Sequence, residues 1–190
     1  MLKLSLPYCT RRCLIGIGAV IALAACSPKY DWREVHGTDA PFVVLLPAKP
    51  VTLSRPVNLD GIAVTMVMTA AQVDGVSFAV GSATLPDAAS AQLALMAMKK
   101  AMINNINGTL ESEKSTGAAA SPERAANGSI GIGSIATEIE AAGSSGGKPV
   151  RLFGRFVVQG SRVYQVIVLG PENAVPRDAV DTFLRSFKLN

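Results

Sequence analysis

The run Val51-Thr-Leu-Ser-Arg-Pro-Val-Asn-Leu-Asp60-Gly61-Ile62-Ala-Val-Thr-Met-Val-Met-Thr69, continued by Asp74-Gly75-Val76-Ser-Phe-Ala-Val80, decides the fold. Ile62, Val64, Met66 and Met68 alternate with Ala63, Thr65, Val67 and Thr69. Successive strand residues point to opposite faces, so this alternation predicts a half-buried strand. Val76, Phe78 and Val80 repeat the pattern. Val51–Leu59 predicts a weaker strand, and Pro56 places it toward an edge because proline offers the ladder no N–H. Asp60-Gly61 and Asp74-Gly75 are turn dipeptides, suited to the positive φ angles of tight hairpins. Alternating runs joined by Asp-Gly turns predict an antiparallel meander.

Upstream, Phe42–Leu46 is a short apolar run closed by Pro47 and Pro50, a strand with a hard stop. Downstream, Pro86-Asp87 opens one long helix reaching to about Asn107. Leu95, Met98, Met102 and Ile106 recur at spacings of three and four, with Leu93, Met96 and Ile103 widening the stripe. A methionine-rich stripe at helical spacing predicts core rather than a cofactor groove. Lys99 and Lys100, late in the helix, suit the negative end of its dipole. Asn107-Gly108 is the expected stop.

Thr109–Lys114 reads as a polar strand and residues 115–128 as a low-complexity loop. Ile130–Ile139 is strand-like but slips phase, and a bulge near Gly133 would reconcile its two halves. Gly143–Gly147 reads as a loop. Val150–Val158 and Arg162–Leu169 form a hairpin across Gln159-Gly160-Ser161, Pro171–Pro176 is a break, and Val180, Phe183, Leu184 and Phe187 mark a last amphipathic helix. The expectation is an α+β domain over residues 41–190. It has an antiparallel sheet with the long helix and the C-terminal helix packed mainly on one face.

The 190 residues allow one such domain and a short appendage. With 49% hydrophobic and 17% charged residues, a disordered chain is excluded. Collagen, coiled coil and disulfide scaffold also fail, for want of a Gly period, a heptad or enough cysteines.

The formal charge of +4 suggests an anionic partner until its location is read. Lys3, Arg11 and Arg12 lie before the apolar run Cys13–Ala25, and no acid precedes residue 26. Taking those three from the 18 basic residues leaves 15 against 14 acids. Nucleic-acid binding needs its excess charge on the folded domain, so none is expected here. The run Cys13–Ala25 would reach about 20 Å as a helix, short of the ~30 Å bilayer core. A charged start followed by a short apolar run is the layout of a signal peptide.

That run ends in Leu23-Ala24-Ala25-Cys26. Here the chain resembles the bacterial lipoproteins, whose signal peptides end in a Leu-small-small-Cys lipobox. The resemblance implies cleavage between Ala25 and Cys26, leaving residues 1–25 as signal peptide. It also implies a diacylglyceryl thioether on the Cys26 sulfur and usually an acylated amine. Ser27 in the next position implies export to the outer membrane, facing the periplasm, in a double-membraned cell, or the cell membrane where there is only one. Cys9 and Cys13 would leave with the signal, so the mature chain would form no disulfide and rely on its core. Two or more acyl chains anchor stably.

Residues 26–40 read as the lipidated cysteine and a tether. They are a plain spacer, a carrier of the interfacial aromatics Tyr30 and Trp32, or a strap that docks Trp32 on the domain. The order of elements, with Phe42-Val-Val-Leu-Leu-Pro47 early and Arg162-Val-Tyr164 and Phe183-Leu-Arg-Ser-Phe187 late, is similar to PsbP/Mog1-like exported domains. That resemblance covers residues 41–190. It implies a binding or assembly module and carries over no catalytic residue.

The search for chemistry returns little. Gly143-Ser-Ser-Gly-Gly147 fits a G-x-S-x-G nucleophile pattern around Ser145, but that motif needs a strand-to-helix elbow and a downstream histidine. The single histidine is His36. Gly147-Lys148 lacks the Ser/Thr of a phosphate loop, and Gly131-Ile-Gly133 lacks the βαβ frame of a dinucleotide site. Three or four metal ligands are not at hand. Glu111 with Glu113 and Glu138 with Glu140 read as solvated strand pairs. No catalytic, cofactor-binding or metal-binding residue is therefore assigned.

Arg151 and Arg155, four apart on one strand face, with Arg162 nearby, form the candidate surface for an anionic envelope partner. Their alternative is a solvated outer face. The expected function is a membrane-anchored, non-enzymatic binding or assembly module for an envelope protein, glycan or lipid. A small-ligand or lipid carrier with a pocket between helix and sheet is the first alternative, and a hydrolase using Ser145 the second.

Overall fold

A computed structural model describes residues 29–117 and 134–190. The elements run β1 (Arg33–His36), β2 (Phe42–Leu46), β3 (Val51–Leu59), β4 (Ile62–Val73), β5 (Val76–Thr84), α1 (Ala88–Asn105), β6 (Thr109–Gly117), β7 (Ser134–Ser145), β8 (Lys148–Gln159), β9 (Arg162–Pro171), α2 (Arg177–Ser186) and β10 (Lys188–Leu189). Seven strands form one antiparallel sheet in the order β3-β4-β5-β9-β8-β7-β6, and β1-β2-β10 form a second, small sheet.

The predicted meander is present. Asp60 and Gly61 take φ of 52° and 89°, and Asp74 and Gly75 take 49° and 78°, the paired positive values of a primed turn. Asn58 holds the first turn by accepting from the Gly61 N–H at 2.7 Å. Strand β3 is an edge, as Pro56 requires. The described chain is mostly antiparallel strand with two helices added, so the class is broadly α+β, weighted toward β.

The helices do not share a face, contrary to expectation. Strand β9 shows why. Tyr164, Val166 and Val168 join one core with Phe78 and Val80 of β5, Phe42, Val44 and Leu46 of β2, and Val180 and Phe183 of α2. Val163 and Ile167 point the other way, into a core with Phe156 and Val158 of β8 and Ala91, Ala94, Leu95 and Met98 of α1. The seven-stranded sheet is thus a middle layer, with α1 on one face and α2 plus the small sheet on the other.

The long helix also differs in phase. Its buried residues are Ala91, Ala94, Leu95 and Met98, whereas Leu93 and Met96, expected in the core, are 51% and 56% exposed. Ala91, Ala94, Leu95 and Met98 recur at spacings of three and four and form the face turned to the sheet, which leaves Leu93 and Met96 off that stripe. The helix opens on Asp87, whose carboxylate accepts from the Ser90 N–H at 2.7 Å and is held below its ordinary pKa by that bond. At its other end Asn107, not Gly108, takes the left-handed conformation, with φ of 46°. Lys99 does not serve the last turn either. It bonds Glu113 of β6 at 2.6 Å.

The stretch expected as a tether is docked. Strand β1 pairs with β2, and the indole of Trp32 meets Phe78 edge-on, 6.3 Å between ring centres. The docking alternative for Trp32 is the one observed. Cys26 and residues 1–25, expected as a signal peptide, lie outside the described residues, as do Ile130 and the bulge expected near Gly133.

Tyr164 is fully buried between Phe42 and Phe187, and its hydroxyl has no hydrogen-bond partner. An unpaired buried hydroxyl costs about 1–3 kcal/mol in lost hydration. Tyr164→Phe is therefore expected to stabilise the protein by about 1 kcal/mol, read as a higher urea midpoint at constant slope. Burial raises the Tyr164 pKa above 10.0, partly offset by Arg162. The unfolded phenol ionises near pH 10 while the folded one stays neutral, so stability falls as pH rises above that value. Tyr164→Phe removes this contribution. A lower midpoint for the variant at pH 7 would contradict the assignment of an unpaired hydroxyl.

Candidate functional site

The three arginines singled out from sequence lie on the α2 face of β8 and β9. Arg155 stands opposite Val166, and Arg162 opposite Gln159. From Arg151 to Gln159 is eight residues, about 26 Å along the strand, so Arg162 is far from Arg151. Arg151 and Arg155 are engaged within the chain. Arg151 reaches three carboxylates: Nη1 binds Glu111 and, at 2.8 Å, Glu140, while Nη2 lies 3.2 Å from Glu172. Arg177, at the start of α2, donates to Glu140 at 3.0 Å and lies over the Phe153 ring at 4.5 Å. Glu140 is thereby held between two guanidinium groups, joining β7, β8 and α2.

Arg155 donates Nη1 to the Leu184 carbonyl at 3.1 Å, at the negative end of α2. Its Nε lies 3.1 Å from Glu138 as a charge contact and lacks an aligned hydrogen bond. An anion binding to Arg151 would have to displace carboxylates. The sheet brings together Arg151, Arg177, Glu111, Glu140 and Glu172, a group that sequence spacing alone did not assemble.

The G-x-S-x-G segment has a different geometry from the one the motif requires. Gly143, Ser144 and Ser145 belong to β7, not to a loop, and the turn is Gly146-Gly147, with φ of 57° and 76°. The segment is a β-hairpin, with Ser145 exposed opposite Lys148. Each glycine has a local reason. A Cβ on Gly143 would stand 2.3 Å from the Ile106 carbonyl oxygen, and that carbonyl accepts from the Ser144 N–H at 2.6 Å. Gly143 therefore lets the end of α1 close onto β7. His36 is bonded to Glu34 at 2.9 Å within β1, on the small sheet.

One concave feature lies at Ala40, Val67 and Ala83, and a second, roomier one lies between α1 and the β3–β4 turn. It is a groove of about 370 Å³ bounded by Asn58, Leu59 and Asp60 on the sheet side and by Leu93, Met96 and Lys100 on the helix. Apolar side chains form its wall, and Asp60 and Lys100 supply opposite charges at the rim. Sequence reasoning missed this groove by placing Leu93 and Met96 in the core. The available signal was the small pair Ala91 and Ala94, which completes a narrower stripe with Leu95, Met98 and Met102.

Among the described residues, no helix is long and apolar enough to cross a membrane, and no three His, Cys, Asp or Glu side chains are grouped to hold a metal. Compared with known proteins, the chain matches no family model and no curated sequence.

Proposed function

We propose that the protein is a membrane-anchored envelope lipoprotein, held through acyl chains on Cys26, that acts as a non-enzymatic binding or assembly module. The observation that carries this reading is the Leu23-Ala24-Ala25-Cys26 box, which follows a charged start and a short apolar run. In a double-membraned cell Ser27 favours the outer membrane, facing the periplasm. The resemblance to PsbP/Mog1-like domains, read from the order of elements and the phrases at Phe42–Pro47 and Phe183–Phe187, is in keeping with a binding role.

The partner, an envelope protein, glycan or lipid, engages the exposed apolar wall of α1 in this reading. Leu93 and Met96 are solvent-facing and available, whereas Arg151 and Arg155 are tied to carboxylates. Photocrosslinking from Leu93 and Met96 in cells tests this, with Arg162 as the competing position. Leu93→Asp with Met96→Asp is expected to abolish the crosslinks while changing stability by no more than about 0.5 kcal/mol per site, as surface substitutions do. Crosslinks only from Arg162 would return the binding surface to the arginine face. Intact mass of the mature protein tests the anchor: an unacylated start overturns it.

A second reading is a small-ligand or lipid carrier. The same groove supports it, since about 370 Å³ falls within the range of small-molecule sites. Native mass spectrometry of the purified protein distinguishes the two by a co-purified ligand that Met96→Asp removes.

A further inference from the structure

The strap that precedes β1 is attached to one end of the large sheet. Lys29 Nζ lies 3.1 Å from Asp74 Oδ2 in the β4–β5 turn, and that bond raises the lysine's pKa above its ordinary value. The Asp31 N–H donates to the Pro47 carbonyl at 2.9 Å. Tyr30 leans on Trp32, and Trp32 on Phe78, so both aromatic side chains are used against the domain. The same end of the sheet carries the Pro47–Pro50 connection and the Gly146-Gly147 turn. The opposite end carries Asp60-Gly61, Gly160-Ser161 and the start of α1.

Between Cys26 and Lys29 there are three residue steps, which span at most about 11 Å when fully extended. The headgroup region of a bilayer takes up about 5–8 Å on each side. A thioether-linked lipid at Cys26 therefore leaves almost no slack beyond the headgroups. We propose that the domain stands end-on to the membrane, with the β4–β5 turn, Lys49 and Lys148 against the headgroup layer. This orientation rests on the reading of Cys26 as the lipidated residue.

The Asp60-Gly61 turn lies at the other end of the twelve-residue β4, whose length at about 3.3 Å per residue limits its extra height to roughly 36 Å. The groove beside Leu93 and Met96 runs along α1 to Lys100 and Asn104, with Asn58, Leu59 and Asp60 as its other wall. Charge does not set the orientation. At the near end Asp74 is paired with Lys29 and Glu172 with Arg151, while Lys49 and Lys148 are exposed without ion pairs and Asp178 is an unpaired carboxylate among the described residues. The short tether sets it.

The test uses the full acylated protein in neutral liposomes containing a lipid with a nitroxide headgroup. The mature chain offers no other thiol, so a fluorophore can be placed singly by Lys49→Cys, Lys148→Cys, Ala63→Cys or Ala89→Cys. Quenching at positions 49 and 148 is expected to exceed that at 63 and 89 at least threefold. Inserting about twelve Gly/Ser residues between Ser27 and Pro28 should erase the difference. Equal or reversed quenching in protein whose mass shows an acylated Cys26 overturns the orientation and leaves the lipoprotein reading standing. A mass without acyl chains overturns both. A difference that survives the insertion overturns the tether as its cause.

Discussion

Phe78→Ala is expected to remove about 4 kcal/mol of folding stability, within the range for truncating a buried phenylalanine. Phe78 is fully buried at the centre of the α2-side core. Its ring meets Phe183 of α2 at 5.5 Å and Trp32 of the strap at 6.3 Å, both edge-on. The truncation therefore removes area burial and two aromatic pairs together, each pair adding about 0.5–1.5 kcal/mol beyond burial. Trp32 is the single tryptophan, so the effect on the strap can be read separately. Its emission should shift to the red and become more accessible to acrylamide while the protein is still folded. A loss below 2 kcal/mol with unchanged emission would mean that the strap and α2 do not meet through this ring.

Gly143→Ala should cost about 3 kcal/mol, near the upper end for overpacking, because the atom its Cβ meets is backbone. The Ile106 carbonyl oxygen at 2.3 Å and the Gly108 Cα at 2.9 Å cannot rotate away. The hydrogen bond from the Ser144 N–H to that carbonyl would be lost with the displacement. Ser145→Ala, two residues on and exposed, should change stability by less than about 0.5 kcal/mol. Thermal or urea unfolding of the two variants side by side separates a structural glycine from a catalytic serine. A silent Gly143→Ala combined with loss of fluorophosphonate labelling in Ser145→Ala would restore the hydrolase reading.

The strands and hairpins were legible because their signals are local. Alternation in β4 and β5 follows from the pleat, and Asp-Gly turns follow from the φ angles those residues tolerate. Which face each helix covers is a long-range property, yet its trace was present. Val163-Tyr-Gln-Val-Ile-Val168 in β9 is apolar with little alternation, the mark of a strand buried on both sides. A sheet with its middle strands covered twice needs a layer on each face. Strand β1 left no such trace. Arg33-Glu-Val-His36 has no apolar period, and it becomes a strand because β2 offers it an edge.

The candidate site was legible only in part. The shared face of Arg151 and Arg155 followed from their spacing. Their glutamate partners depend on register, since Glu138 faces Arg155 and Glu140 faces Phe153 only after β7 and β8 have paired. The groove depended on which stripe of α1 faces the sheet, and Ala91 and Ala94 complete that stripe without a large apolar side chain to mark it.

Strand β2 lies between β1 and β10, so its two neighbours come from opposite extremes of the described chain. Leu45 is bonded to the Ser186 hydroxyl across a separation of 141 residues. A chain that emerges from its amino end thus cannot complete this small sheet until Lys188 and Leu189 have followed. Such late closure slows the final step of folding. Until then Phe42 lacks the Phe187 ring that packs on it.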